Sequence, residues 1–110
     1  MNQLVLVGRL TKDPELNVKE DGHKMSYITV AVQRPFKNSD GIYEADFIRC
    51  ILWNSIAENT VEYCKCGDVV GIKGRIQTNS YEDKDGNKKF STEVIAERIT
   101  FLSSNNQKEN

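Results

Sequence analysis

The chain has 110 residues, 38% of them apolar and 28% charged, and a formal net charge of −1. That is one globular domain with enough length for a single core, and no apolar run approaches the ~18 residues of a membrane span. Near-neutral charge counts against a protein that grips nucleic acid by bulk charge, so charge has to be judged face by face.

Leu4–Leu10 reads as a first strand, with Gly8 marking a bend or a close backbone approach. The chain opens into it with no basic leader, which predicts a protein that is not exported. The pair Asp21-Gly22 is a hairpin cue, repeated at Asp40-Gly41 and Asp85-Gly86. Tyr27–Arg34 is a second strand, with Ile28, Val30 and Val32 inward and Tyr27, Thr29, Ala31 and Gln33 outward.

The third strand, Ala45–Trp53, carries the most information. One face holds Ile48, Cys50 and Leu52; the other holds Phe47, Arg49, Ile51 and Trp53. Aromatic rings interleaved with fixed positive charge on a solvated face can stack bases and hold phosphates. Equally, Phe47 and Trp53 can cover a second small core or a subunit interface.

Ser55-Ile56-Ala57-Glu58 has the form of a capping box, followed by Ile56, Ala57, Thr60, Val61 and Cys64 at helical spacing, with Gly67 as a left-handed stop. Val69–Thr78 is a fourth strand. Val70, Ile72 and Ile76 face one way; Lys73, Arg75, Gln77 and Asn79 face the other, with Tyr81 next in register. Thr92–Ala96 and Ile99–Leu102 form a fifth strand broken near Glu97 and Arg98. Five strands with one helix between the third and fourth is the layout of the OB-fold, an all-β Greek-key barrel. The expected organisation is an OB-fold domain over 1–103 and a short polar, disordered tail over 104–110.

Three cysteines, Cys50, Cys64 and Cys66, fit a reducing cytoplasm better than a disulfide framework. Cys64-Lys65-Cys66 has the wrong spacing for a zinc site and His23 is remote, so neither a metal nor a cofactor is expected. No catalytic residue is expected either, since no nucleophile stands beside a base. A metal-dependent nuclease would need carboxylates on the face of Arg49 and Arg75, and strand parity provides none.

The expected stacking residues are Phe36, Phe47, Trp53 and Tyr81, each with a cation or amide as a neighbour. Arg49, Lys73 and Arg75 are the candidate phosphate contacts, with Arg9 and Arg34 extending the path. Tyr27, Tyr63, Phe90 and Phe101 read as core or interface residues, and Lys88 and Lys89 as a solvated edge. A protein-docking module and an RNA-binding module remain as rivals, because a stacking face alone does not distinguish sugars.

From Asn2 to Leu102 the chain resembles the bacterial-type single-stranded DNA-binding proteins. The resemblance is carried by Asn2-Gln3-Leu4-Val5-Leu6-Val7-Gly8-Arg9-Leu10, Asp13-Pro14-Glu15, Ala45-Asp46-Phe47-Ile48-Arg49-Cys50 and Trp53, and then by Ala57-Glu58, Gly74-Arg75 and Thr92-Glu93-Val94-Ile95-Ala96-Glu97. It implies an OB-fold subunit of a homotetramer that coats single-stranded DNA, without sequence preference, during replication, recombination and repair. It also implies that Phe36, Phe47, Trp53 and Tyr81 stack bases and that Arg49 and Arg75 are family cations. Family members often carry more basic residues where this chain has Gln77, Asn79 and Ser80, which predicts a shallower salt dependence here. Many also end in an acidic tip that recruits other enzymes. This sequence shows Ser103-Ser104-Asn105-Asn106-Gln107-Lys108-Glu109-Asn110 instead, which argues against such recruitment and leaves two alternatives, a trimmed core or a compact relative that does not recruit partners this way.

Overall fold

A computed structural model describes residues 1–103, so the tail expected over 104–110 lies outside the described residues. The elements are β1 (Leu4–Leu10), β2 (Asn17–Val18), β3 (Lys24–Lys37), β4 (Tyr43–Trp53), α1 (Asn54–Tyr63), β5 (Val69–Glu82) and β6 (Lys88–Ser103). Neighbouring strands run in the order β1-β5-β6-β4-β3, and β1 turns back onto β3 through Arg9↔Ala31 and Leu10↔Val30 to close the ring. Pairing is antiparallel except between β4 and β6. This closed barrel with one helix between β4 and β5 is the OB-fold, and β2 is a two-residue addition at the edge of β3.

The interior is filled as strand parity predicts: Ile28, Val30, Cys50, Leu52, Val70 and Ile72 are all buried. Helix α1 packs against β3, β4 and β6, burying Ala57 and Thr60. The Thr60 hydroxyl is satisfied by donating to the Ile56 carbonyl at 2.8 Å. Burial pushes the Cys50 thiol up to about 12, and burial with the nearby Asp68 charge pushes Cys64 up to about 11. Both are neutral thiols at physiological pH.

All three Asp-Gly pairs form turns. At two of them an upstream side chain organises the loop: Asn38 Oδ1 accepts from the Asp40 and Ile42 amides, and Asp83 Oδ1 from the Asp85 and Asn87 amides. Gly41 (φ +77°) and Gly86 (φ +80°) supply the left-handed step that other residues resist. The strands flanking these turns outrun the barrel, so the β3–β4 and β5–β6 hairpins project from it as arms.

Several details depart from the sequence reading. The capping box does not form, because the helix starts at Asn54 and places Ser55 inside its first turn. Glu58 instead accepts from Lys24 Nζ at 2.9 Å, and Asn54 Oδ1 accepts from the Lys24 amide at 3.2 Å. The helix ends at Tyr63, before Gly67, whose amide joins the loop to β1 by donating to the Leu10 carbonyl. The fifth predicted strand is not broken: Lys73 pairs with Arg98 and Gly74 with Ala96, so Glu97 is the extra residue of a bulge. Gly74 is required there, since a Cβ would overlap the Ile95 carbonyl oxygen. Ile76 is exposed although it shares parity with Ile72, because β1 begins opposite Gly74 and no barrel wall continues past it.

Candidate nucleic-acid interface

Register places the outer side chains of the barrel in rows that cross several strands. Phe47 on β4 lies opposite Ala31 on β3, which in turn lies opposite Arg9 on β1. The small Ala31 leaves the ring and the guanidinium flanking a low stretch of wall. Another row runs Tyr27, Ile51, Ile95 and Arg75 across β3, β4, β6 and β5. Ile51 was expected on the wet face but is buried, as the middle of a row flanked by Tyr27 and Ile95. An open cleft of about 480 Å³ beside the Phe47 row is lined by Arg9, Ala31, Gln33, Tyr43, Ala45 and Val69, among others.

The four expected stacking residues are all exposed: Phe47 at 70%, Phe36 at 62%, Tyr81 at 56% and Trp53 at 36%. Phe47 and Trp53 stand on the barrel wall, whereas Phe36 and Tyr81 ride on the two hairpin arms. Trp53 is the most covered because it meets α1 and lies opposite the buried Met25, with Lys19 Nζ 5.9 Å above its ring. Phe36 lies within the β3 irregularity between Gln33 and Lys37, which re-aims that end of the strand.

The cations differ in how far they are already engaged. Arg34 is the most committed: Nε and Nη2 donate to Asp46 Oδ1 at 3.0 and 2.7 Å, and Nη1 to Glu44 Oε1 at 3.4 Å. That hydrogen bond, with the attraction between the charges, raises Arg34 and lowers Asp46 from their ordinary values. Arg49 lies with its guanidinium carbon 4.0 Å over the Tyr27 ring and its Nε 3.9 Å from Glu93. Arg75 donates to Gln77 Oε1 at 2.9 Å and stands 3.9 Å from Glu97. Arg9 donates to the Gly67 carbonyl at 2.8 Å, and among the described residues has no carboxylate partner. Lys73 projects from the outer wall between Val5 and Arg98, with no ion-pair partner among the described residues.

Tyr27, Tyr63, Phe90 and Phe101 are all exposed, so none belongs to the core as the sequence reading allowed. Tyr27 is the one beside the proposed site, and its outward parity on β3 was the available signal. Tyr43, exposed with Lys37 Nζ 5.7 Å over its ring, was missed entirely. The Glu44-Ala45 context around it carries no stacking signature.

Comparison with known proteins gives a consistent result. The model of the single-strand binding protein family matches residues 1–102. "Single-stranded DNA-binding protein B" of Bacillus subtilis is 50% identical over 101 residues, covering 92% of this chain and 89% of that protein. "Single-stranded DNA-binding protein 3" of Listeria innocua is 50% identical over 104 residues, covering 94% of this chain and 65% of that protein. The "Single-stranded DNA-binding protein" of Halalkalibacterium halodurans is 50% identical over 102 residues, covering 93% of this chain and 61% of that protein. The chain thus spans just under two thirds of two of these relatives and most of the third.

Proposed function

The chain belongs to the single-strand binding protein family, and from that premise we propose that it coats single-stranded DNA without sequence preference during replication, recombination and repair. The role is binding, not catalysis. The observation that carries it is the outer wall itself, where exposed aromatic rings alternate with cations over a closed barrel. Bases stack on Phe47 and Trp53 along β4 and on Phe36 and Tyr81 at the arms. Arg9, Lys73 and Arg75 neutralise intervening phosphates. Arg34 contributes least to the phosphate path, because Asp46 and Glu44 already compensate its charge.

The assembly we propose is a homotetramer in the cytoplasm, at the nucleoid. Support comes from β1, whose pairing with β3 is confined to Arg9 and Leu10, leaving the edge from Leu4 to Val7 open on that side. Val5 and Val7 are exposed beside that edge. An unpaired strand edge with apolar side chains favours a symmetric partner. Sedimentation velocity of the full chain tests this, with a species four times the subunit mass expected.

Trp53, the sole tryptophan, reports on binding directly. Titration with oligo-dT should quench its fluorescence to saturation at a fixed nucleotide ratio. Three phosphate contacts per subunit imply a slope of log affinity against log salt of about −2. An unchanged emission, together with an unshifted DNA mobility, would overturn the coating function. Parallel titration with poly-U tests the choice of DNA over RNA.

A further inference from the structure

Arg49 is the one cation of the wall that sits along the same strand and face as two stacking rings. With a rise of about 3.3 Å per residue, it lies about 7 Å from Phe47 and about 13 Å from Trp53. A phosphate contact is the obvious role for it, but the geometry is poorly suited to that. Its Nε edge faces Glu93, a carboxylate whose side chain is only 12% exposed. Glu93 is held in turn by Asn79, which donates Nδ2 to Glu93 Oε1 at 3.1 Å. The positive charge is thus partly compensated by a fixed anion, and a phosphate approaching that edge meets repulsion.

What remains free is the flat of the guanidinium. Its central carbon stands 4.0 Å over the Tyr27 ring, close to the contact distance of stacked carbon atoms. Tyr27 thus lies against the guanidinium on one side, while the Arg49 side chain is 56% exposed overall. Planar guanidinium faces accept nucleobases as aromatic faces do.

We infer that Tyr27 and Arg49 form a stacking platform for a base between Phe47 and Trp53, with Arg49 as the contact and Tyr27 as its positioning residue. The inference rests on the single-stranded DNA reading above and assigns Arg49 a planar role within it. Coupling crosses four strands: Tyr27 on β3 supports Arg49 on β4, Glu93 on β6 orients it, and Asn79 on β5 fixes Glu93.

The test compares Arg49→Lys, Arg49→Ala, Tyr27→Phe and Tyr27→Leu in the full chain, using a labelled oligo-dT over a salt series. A platform predicts that Arg49→Lys, which keeps the charge but loses the plane, weakens binding at least about fivefold, the lower end of one base-stacking contact. The salt slope should hardly change. Arg49→Ala should be no worse than Arg49→Lys. Tyr27→Phe should bind as wild type, Tyr27→Leu should lose a similar factor, and Tyr27→Leu combined with Arg49→Lys should lose no more than either alone. Wild-type affinity in Arg49→Lys, with a loss and a flatter salt slope in Arg49→Ala, would make Arg49 a point-charge contact and overturn the platform. Wild-type affinity in Tyr27→Leu would overturn it too. Should Tyr27→Leu fail to fold, the lysine and alanine variants at the exposed Arg49 still decide. A wild-type chain that binds no oligo-dT would overturn the coating function itself and the platform with it, whereas tight wild-type binding with an indifferent Arg49→Lys sinks the platform alone.

Discussion

Ile72 and Ile76 are the same residue type on the same strand with the same parity, yet Ile72 is 1% exposed and Ile76 is 44% exposed. Between them lies Gly74, where β1 begins to pair and where β6 carries its bulge. On the Ile72 side, β5 is barrel wall, flanked by Leu6 and Ile99. On the Ile76 side it becomes an arm, tied to the start of the chain through the Asn2 side chain, which exchanges two hydrogen bonds with the Ile76 backbone. Alternation distinguishes two faces of a strand, but a face is an interior only where a second layer covers it. The barrel half of β5 serves stability, and the arm half is exposed, which leaves it available for the binding role proposed above.

The sharpest way to break this contrast is to truncate both isoleucines. Ile72→Ala should cost about 2–5 kcal/mol in denaturant unfolding, as buried large-to-small changes do. Ile76→Ala should cost about 1 kcal/mol, since half its surface is already in water; equal losses would dissolve the distinction. Gly74→Ala should destabilise by about 1–3 kcal/mol through overpacking against the Ile95 carbonyl, and a neutral result would place the boundary elsewhere.

Arm and wall aromatics should show the opposite pattern. Tyr81→Ala should leave the melting temperature nearly unchanged but weaken single-stranded DNA binding, at the ~1–3 kcal/mol per base known for stacking in single-strand-binding OB-folds. A loss of stability without a loss of affinity would return Tyr81 to a purely structural role. Thiol chemistry offers a smaller test of closure. Of the three cysteines only Cys66 is exposed, so one thiol per chain should react rapidly with a disulfide reagent at pH 8, and Cys50 and Cys64 only on unfolding. Smallest of all is the contribution of Asp46. Its carboxyl is held below the ordinary value by the Arg34 hydrogen bond, so its stabilisation is complete above the unfolded value, near pH 4, and is lost as pH falls through the folded one. Asp46→Asn should lower stability slightly at neutral pH, where the Arg34 pair is intact, and converge with wild type at the acid end, so the acid limb flattens, as measured by denaturant unfolding across pH 2–7.

Much of the exposed aromatic wall was legible in sequence because it lies on strands, where period two is reliable. Phe47, Arg49 and Trp53 followed from parity on β4, and Tyr81 from parity on β5. What each cation does with its charge was not legible. Arg34 is engaged by Asp46 and Glu44 across the hairpin, and Arg49 by Glu93, 44 positions away in sequence. The capping box fails because the helix begins at Asn54 and takes Ser55 into its first turn, which leaves Glu58 to pair with Lys24 on β3. Tyr27 reads from sequence as a core or interface residue, because nothing local shows which side chain lies against its ring.

Local sequence, then, determined the strands, the turns, the inward face of each strand and the aromatic positions, because these follow from backbone periodicity and the conformational freedom of a few glycines. Tertiary structure alone decided where barrel gives way to arm, which charges are already paired, and that Tyr27 lies beneath Arg49. Those depend on which distant strand arrives alongside, and burial, ion pairing and stacking are properties of that meeting.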